Sequence, residues 1–283
     1  MRIAVVTDSA SDLPPGTSAA AGIRVIPLSV SFGERSFQAG VDLSTDEFWR
    51  LMTAPDAPFP TTAAASPGTF LDTFQAAFAD GADAVICVDV AETLSATIKS
   101  ARVAAGMLPD REIHVIDAHT ASMGVGLLAL MAAELASAGL AAAQVAAQVA
   151  ERAGDIDLYV GLDTLAYLRK GGRLGGPQAA IGTLLSVKPI ITVRDGLVEV
   201  ADRPRTRSRA RARVLELLAA RPVERIAILF TPPADAVSFR DELVTRVPGG
   251  IDPAHVSIQP VGPSVGPHLG PGCLGAVVLY ARD

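Results

Sequence analysis

Just past the midpoint, Leu165-Ala-Tyr-Leu-Arg-Lys-Gly-Gly-Arg-Leu-Gly-Gly176 gathers two glycine pairs and three cations directly after a strand-like segment. Glycine adopts φ > 0 and tolerates close approach to its backbone. Such a stretch can therefore turn sharply and present Arg173 beside its own amides, a corner suited to an anion. The same residues also read as a helix over Asp163–Lys170 closed by a glycine cap at Gly171, with its cations set against the helix dipole. Both readings stand at this point. Other polar groups with chemical potential are the cluster Thr7-Asp8-Ser9-Ala10-Ser11-Asp12-Leu13, the hydroxyls Thr62 and Ser66, the pair Ser95 and Thr97, and His268. The glycines and prolines of Val261-Gly-Pro-Ser-Val-Gly-Pro-His-Leu-Gly-Pro-Gly272 hold His268 in a stiff loop, which favours neither helix nor strand.

These residues need elements to position them. Arg2–Val6 reads as a short buried strand ending in the Thr7–Leu13 cluster, at the sheet edge where open α/β folds bind ligands; the plainer alternative is a turn capping the next helix. Strands follow at Ile23–Leu28, Ala84–Val88 and Ile113–Ile116, with a hairpin in Val30–Phe37 around Gly33-Glu34. Helices are expected over Ser44–Met52, over Gly68–Phe78 after Pro67, from the Asp117–Ser122 cap to about Ser137, and over Ala141–Ala153. Strand–loop–helix alternation predicts a mostly parallel sheet with flanking helices. The hydroxyls of Thr62 and Ser66 then sit in a short loop, and Ser95 lies just past a strand end.

Texture changes at Gly154-Asp-Ile-Asp157, which sets the expected division at residues 1–153 and 154–283. The second half reads as a strand at Leu158–Gly161, a helix from Pro177 through Thr183 to Leu185, and a strand at Lys188–Arg194. The turn Asp195-Gly196 then pairs Ile190–Val193 with Leu197–Val200, so this half is a mixed α/β unit. Helices over Ser208–Ala219 and Ala234–Arg246 and strands at Arg225–Phe230, Val256–Pro260 and Ala276–Tyr280 complete it. Arginines alternate from Arg203 to Arg213; in helical register Arg205, Arg209 and Arg213 share one face, either solvated or facing an acidic partner or phosphate.

Composition narrows the function. With 49% hydrophobic but only 5% aromatic residues in 283, the interior is filled by Ala, Val, Leu and Ile, as a large core or around an apolar cavity. A net charge of −6 argues against general nucleic-acid binding, which needs a basic face. Cys87 and Cys273 are expected to be reduced thiols of a cytoplasmic protein. His114, His119, His255 and His268 lack ligand spacing, so no metal is expected. A phosphate-binding glycine loop after the first strand is missing, and Ser95 lacks the nucleophile-elbow context.

Five segments in order resemble the DegV family of bacterial fatty-acid-binding proteins that serve fatty acid kinase. They are Thr7–Leu13 for its TDSxSDL, Thr62-Ala-Ala-Ala-Ser66 for its hydroxyl loop, and Leu94-Ser-Ala-Thr97 for LSGT. Leu168-Arg-Lys-Gly-Gly-Arg-Leu174 stands for LxxGGRI, and His268-Leu-Gly-Pro-Gly272 for HxGPG. The resemblance implies a two-domain fold with a long-chain fatty acid such as palmitate between the domains, its carboxylate held by Thr62, Ser95 and His268. It further implies no cofactor and no catalysis by this chain. A separate ATP-dependent kinase subunit would phosphorylate the carboxylate, assisted by Arg173, and transient membrane contact is compatible with this role. The chain departs from the pattern at Ala63, Ala64, Ala65 and Ala96, which make the polar end less polar. A carbonyl- or polyol-binding role, related to the substrate domain of dihydroxyacetone kinases and using His268 as a nucleophile, is the alternative; an apolar tunnel would argue against it.

Overall fold

The computed structural model describes residues 1–174 and 187–282; the helix expected over Pro177–Leu185 and the second glycine pair, Gly175 and Gly176, lie outside them. In chain order the elements are β1 (Ile3–Asp8), α1 (Pro15–Ala20), β2 (Ile23–Ile26), β3 (Ser29–Phe32), β4 (Arg35–Gln38), α2 (Thr45–Met52), β5 (Thr61–Ala63), α3 (Pro67–Ala79), β6 (Ala84–Asp89), α4 (Thr97–Gly106), β7 (Glu112–Asp117), α5 (Met123–Ser137) and α6 (Ala142–Arg152). Then come β8 (Ile156–Gly161), α7 (Ala166–Lys170), β9 (Ile190–Arg194), β10 (Leu197–Asp202), α8 (Arg207–Leu218), β11 (Val223–Phe230), α9 (Ala236–Arg246), β12 (Val256–Pro260), α10 (Gly266–Leu269) and β13 (Leu274–Tyr280).

The fold is α/β with two principal sheets. The first is parallel, in order β2-β1-β6-β7, and the second is mixed, in order β10-β9-β8-β13-β11-β12, where only β11 and β12 run parallel. Continuous burial of β6, from Ala84 to Asp89, is what a parallel strand covered on both faces requires. The hairpin around Gly33-Glu34 forms as β3 and β4, and β5 adds a third strand with Thr62 opposite Val30. Thr62 therefore sits in a strand, fixed by a ladder rather than by a loop.

Helix α5 explains the Ala-rich run. Met123 to Ala133 is almost wholly buried, because the helix contacts β1 and β6 of the first sheet and β8, β11 and β13 of the second. A helix apolar on every side is stable only between two such surfaces. One hydrophobic core consequently runs through both sheets, joining Val5 and Ile86 to Val160, Leu229 and Val277. Gly126 serves this packing: a Cβ there would lie 2.8 Å from the Ser11 carbonyl oxygen.

Two expectations are corrected. The helix expected over Asp163–Lys170 begins only at Ala166, where the Thr164 hydroxyl accepts the Ala166 N–H (3.1 Å) and holds the preceding residues in a turn. The Gly- and Pro-rich segment does contain helix, the single turn α10. Pro267 is tolerated in a first turn, where its missing N–H is not needed, and Gly270 at φ +74 closes it.

Candidate functional site

The Lys170–Leu174 segment joins the two readings of the glycine pair. Gly171 caps α7 in helical conformation, and Gly172 follows at φ +69. Gly172 N–H bonds Arg169 O (3.1 Å) and Arg173 N–H bonds Leu168 O (3.0 Å), the paired bonds of a Schellman termination. This turn sends the Arg173 side chain back across the helix end. Its Nη1 donates to Gly171 O (2.7 Å) and its Nε to Leu94 O (3.1 Å), immediately before Ser95.

On the other side of Gly171 lies His268. A Cβ at Gly171 would stand 2.3 Å from its Nδ1 and 3.0 Å from its Cε1, so the imidazole occupies the space that the missing side chain leaves. His268 Nε2 lies 3.2 Å from Thr62 Oγ1. Thr62, His268, Gly171, Arg173 and Leu94–Ser95 thus form one chain of contacts, drawn from β5, α10, the α7 terminus and the β6–α4 loop. Ser95 Oγ bonds Thr97 Oγ1 (2.7 Å) and accepts the Thr97 N–H (3.3 Å). Ser66 stands apart: its hydroxyl accepts the Thr69 N–H and caps α3. Phe59, just before β5, stacks on Tyr167 (6.1 Å between centroids), and Lys170 Nζ lies 4.2 Å from the Phe59 ring, bracing β5 against α7.

Burial and the neighbouring Arg173 charge push the His268 pKa down to about 4. The imidazole is therefore neutral at pH 7 in the empty site. Its buried Nδ1 has no partner. An unpaired buried acceptor is tolerated better than an unpaired buried N–H, which assigns the proton to Nε2, facing Thr62 and the cavity.

Thr62, Ser95, Arg173 and His268 all line one partly open cavity, whose empty space together with its open mouth comes to about 800 Å³. The remainder of its wall is mainly aliphatic, with Leu28 and Val90 from the first half and Leu158, Val160, Ile191 and Val193 from the second. Ala63 and Ala64 are part of this wall, so the missing polar side chains extend its apolar surface. The hairpin β9–β10 reaches across, its tip held where Gly196 N–H bonds His119 O (3.0 Å) and Thr93 Oγ1 donates to Gly196 O (2.5 Å). A chamber of this kind can hold a long apolar chain with one polar end at the Thr62–Ser95–His268 corner. Ser95 and His268 take different partners, Thr97 and Thr62, and so do not form a nucleophile–base pair. Among the described residues no group of three or more His, Cys, Asp or Glu side chains is arranged to hold a metal ion.

What sequence reasoning missed lies behind the cavity. Asp12, at φ +52, accepts from Ser122 Oγ–H (2.5 Å) and from Gly262 N–H (2.9 Å), tying α5 and β1 to the His268 segment. Ser122 stands at the N-cap of α5, at φ +55, but its hydroxyl accepts no helix N–H there and instead donates to Asp12. Trp49 Nε1 donates to Val261 O (2.8 Å) beside the same tie. A polar cluster ending an otherwise apolar strand is the signal in the sequence, but its partner 250 residues away is not. Burial pushes the Asp12 pKa up to about 7 and that of Asp8 to about 6, while Asp89, beside Asp8 and Cys87, is also raised. Asp12 ordinarily titrates near 4, so the folded chain binds the extra proton between about pH 4 and 7 and loses stability as pH rises through that window. Asparagine tolerates φ > 0, keeps Oδ1 as acceptor for the Gly262 N–H, and meets Ser122 by donating from Nδ2 to its hydroxyl oxygen. In urea titrations Asp12→Asn is expected to flatten the decline in stability between pH 4 and 7; an unchanged slope would refute this role for Asp12.

The arginine run is exposed from Arg203 to Arg209 and half-buried at Arg211 and Arg213, and much of it is paired within the chain: Arg207 with Asp163, Arg211 with Glu242, Arg213 with Asp202 and Glu216. No helix among the described residues is long and apolar enough to cross a membrane. Cys87 and Cys273 are buried free thiols.

Comparison with known proteins gives concordant matches. The family model of the DegV family, described as uncharacterised proteins, matches residues 2–281. A DegV domain-containing protein of Streptomyces coelicolor is 37% identical over 282 residues, 98% of each chain. A structure described as fatty acid binding of a DegV family protein from Thermus thermophilus superposes with a TM-score of 0.90 at 34% identity, covering 99% of this chain and 100% of that one. The structure of DegV, a fatty acid binding protein from Bacillus subtilis, gives 0.88 at 30% identity, with 99% and 100% covered.

Proposed function

Because this chain belongs to the DegV family, we propose that it binds a long-chain free fatty acid such as palmitate and presents the carboxylate to a separate ATP-dependent fatty acid kinase. Its two units are residues 1–153 and 154–283, the acyl chain lies between them, and the chain itself carries out no catalysis and needs no cofactor. The setting is the cytoplasm, with transient membrane contact when lipid is collected. Relatives described as fatty acid binding support the ligand class.

The observation that carries the reading is that Thr62, Ser95 and His268 line one mainly aliphatic cavity, with Thr62 and His268 in direct contact. An acyl chain of sixteen carbons buries about fifteen CH₂ or CH₃ groups at ~0.8 kcal/mol each, on the order of 12 kcal/mol gross. Loss of freedom on association reduces this substantially. The carboxylate cannot be buried unpaired, and hydroxyl and Nε2–H donors compensate it. The tail thus supplies affinity and the polar corner supplies orientation. An aliphatic wall of this extent disfavours a carbonyl or polyol ligand with His268 as nucleophile.

Mass spectrometry of lipid extracted from the natively purified protein is expected to return a long-chain fatty acid. Recovery of none, with no binding after delipidation and refilling, would sink the proposal. Arg173 has a different role, handover of the carboxylate. Arg173→Ala is expected to leave palmitate affinity nearly unchanged and to slow acyl-phosphate formation with the kinase about tenfold or more, the scale of a lost electrostatic contact to a transferring phosphoryl group. Equal rates would remove that role.

A further inference from the structure

Two hydroxyls in the cavity wall, Ser122 and Ser264, stand outside the Thr62–His268–Arg173 chain of contacts. Their hydrogen bonding is unequal. With Asp12 ionised, the single proton of Ser122 goes to it, so towards the cavity this oxygen can only accept. Ser264 Oγ lies 2.8 Å from Ser9 Oγ, and Ser9 Oγ also accepts the Leu28 N–H (2.9 Å). One hydroxyl–hydroxyl contact uses one proton of the two. If Ser264 donated to Ser9, the Ser9 proton would have no acceptor among the described residues. With Ser9 donating instead, the Ser264 proton is free to enter the cavity, whose wall includes Ser264 but not Ser9.

The two groups belong to one stretch of wall. Asp12, which takes the Ser122 proton, also accepts the N–H of Gly262, two residues before Ser264. The chain winds helically from there, Gly262 O accepting from Val265 N–H (3.3 Å) and Gly266 N–H (2.8 Å). Ser264 and His268, four residues apart, therefore share a face about 6 Å apart along the turn. A donor and an acceptor linked through Asp12 and Gly262 on one cavity wall match a group that both accepts and donates.

We propose that Ser264 and Ser122 form a second polar station that recognises a hydroxyl carried on the acyl chain, so that a hydroxylated fatty acid is a ligand of this cavity. The inference rests on the fatty-acid reading. An unsubstituted chain passes the station with the wall hydroxyls unused, whereas a chain hydroxyl placed anywhere else in the aliphatic cavity is buried unpaired.

The test measures affinity of the whole chain for palmitate and for its monohydroxylated isomers, with the hydroxyl near the carboxyl, mid-chain or at the terminal carbon. One isomer is expected to bind at least as tightly as palmitate, and the others about tenfold more weakly, the scale of an unpaired buried hydroxyl. Ser264→Ala should weaken the matched isomer about fivefold and leave palmitate unaffected, while Ser264→Thr, which keeps the hydroxyl, retains the preference. Equal weakness of every hydroxylated isomer in the native protein would overturn the station. Loss of palmitate affinity in Ser264→Ala equal to that of the isomer would overturn it too, since Ser264 would then serve the carboxylate. If no fatty acid binds, the fatty-acid reading fails along with it.

Discussion

His268→Ala is expected to weaken palmitate binding by about 1–3 kcal/mol, roughly fivefold to a hundredfold, the range for a charged acceptor losing a buried donor. Nε2 is the ring nitrogen that faces Thr62, and Nδ1, buried without a hydrogen-bond partner, lies over Gly171. Removing the ring therefore takes away a donor to the carboxylate and the partner that orients the Thr62 hydroxyl. The empty-site pKa is lowered to about 4, and a carboxylate bound beside the ring raises it, so palmitate affinity should rise as pH falls from the bound-state pKa towards 4 and be flat above it, a dependence that His268→Ala removes. Isothermal titration of delipidated protein measures both. Native affinity in the alanine variant would mean that the head group is held elsewhere.

How far this site was legible depends on the range of the interactions. Thr62, Ser95, Arg173 and His268 each lie in a segment with local punctuation: a strand end before Ser95, a glycine pair before Arg173, Gly-Pro steps around His268. The two sheets were legible for the same reason, since strand periodicity and the Asp195-Gly196 turn are local signals. The convergence of those segments is not local, and it entered through resemblance. Asp12 escaped as a structural tie because its partners, Ser122 and Gly262, are remote in sequence, and a buried carboxylate looks like a turn residue when only its neighbours are read. The α10 turn escaped because Gly and Pro content outweighed the first-turn position of Pro267.

The second large effect separates the two glycines. Gly171→Ala keeps an allowed backbone (φ −77, ψ −4), but its Cβ would stand 2.3 Å from His268 Nδ1 and 3.0 Å from Cε1. The imidazole must move, and its bond to Thr62 goes with it. Binding is expected to fall by about 1–3 kcal/mol, as for loss of the donor itself, with a comparable overpacking cost in stability. Gly172→Ala provides the contrast: nothing lies within 4 Å of its Cβ, but φ is +69. It should cost about 1–2 kcal/mol of stability through backbone strain and leave palmitate affinity unaltered. Thermal melting and titration on the same samples measure the two effects, and native affinity in Gly171→Ala would refute the packing argument.

Helix α5 touches strands of both sheets and shares one core with each. Parting the two halves like a hinged shell would strip apolar side chains along that whole helix, a loss comparable to unfolding a layer of the protein. On the fatty-acid reading, filling and emptying the cavity would then fall to smaller movements, among the described residues those of the single turns α7 and α10 and the short strand β5. Residence time of the ligand is thus set by local opening, which evolution can tune at a few positions without altering the stability of the molecule as a whole.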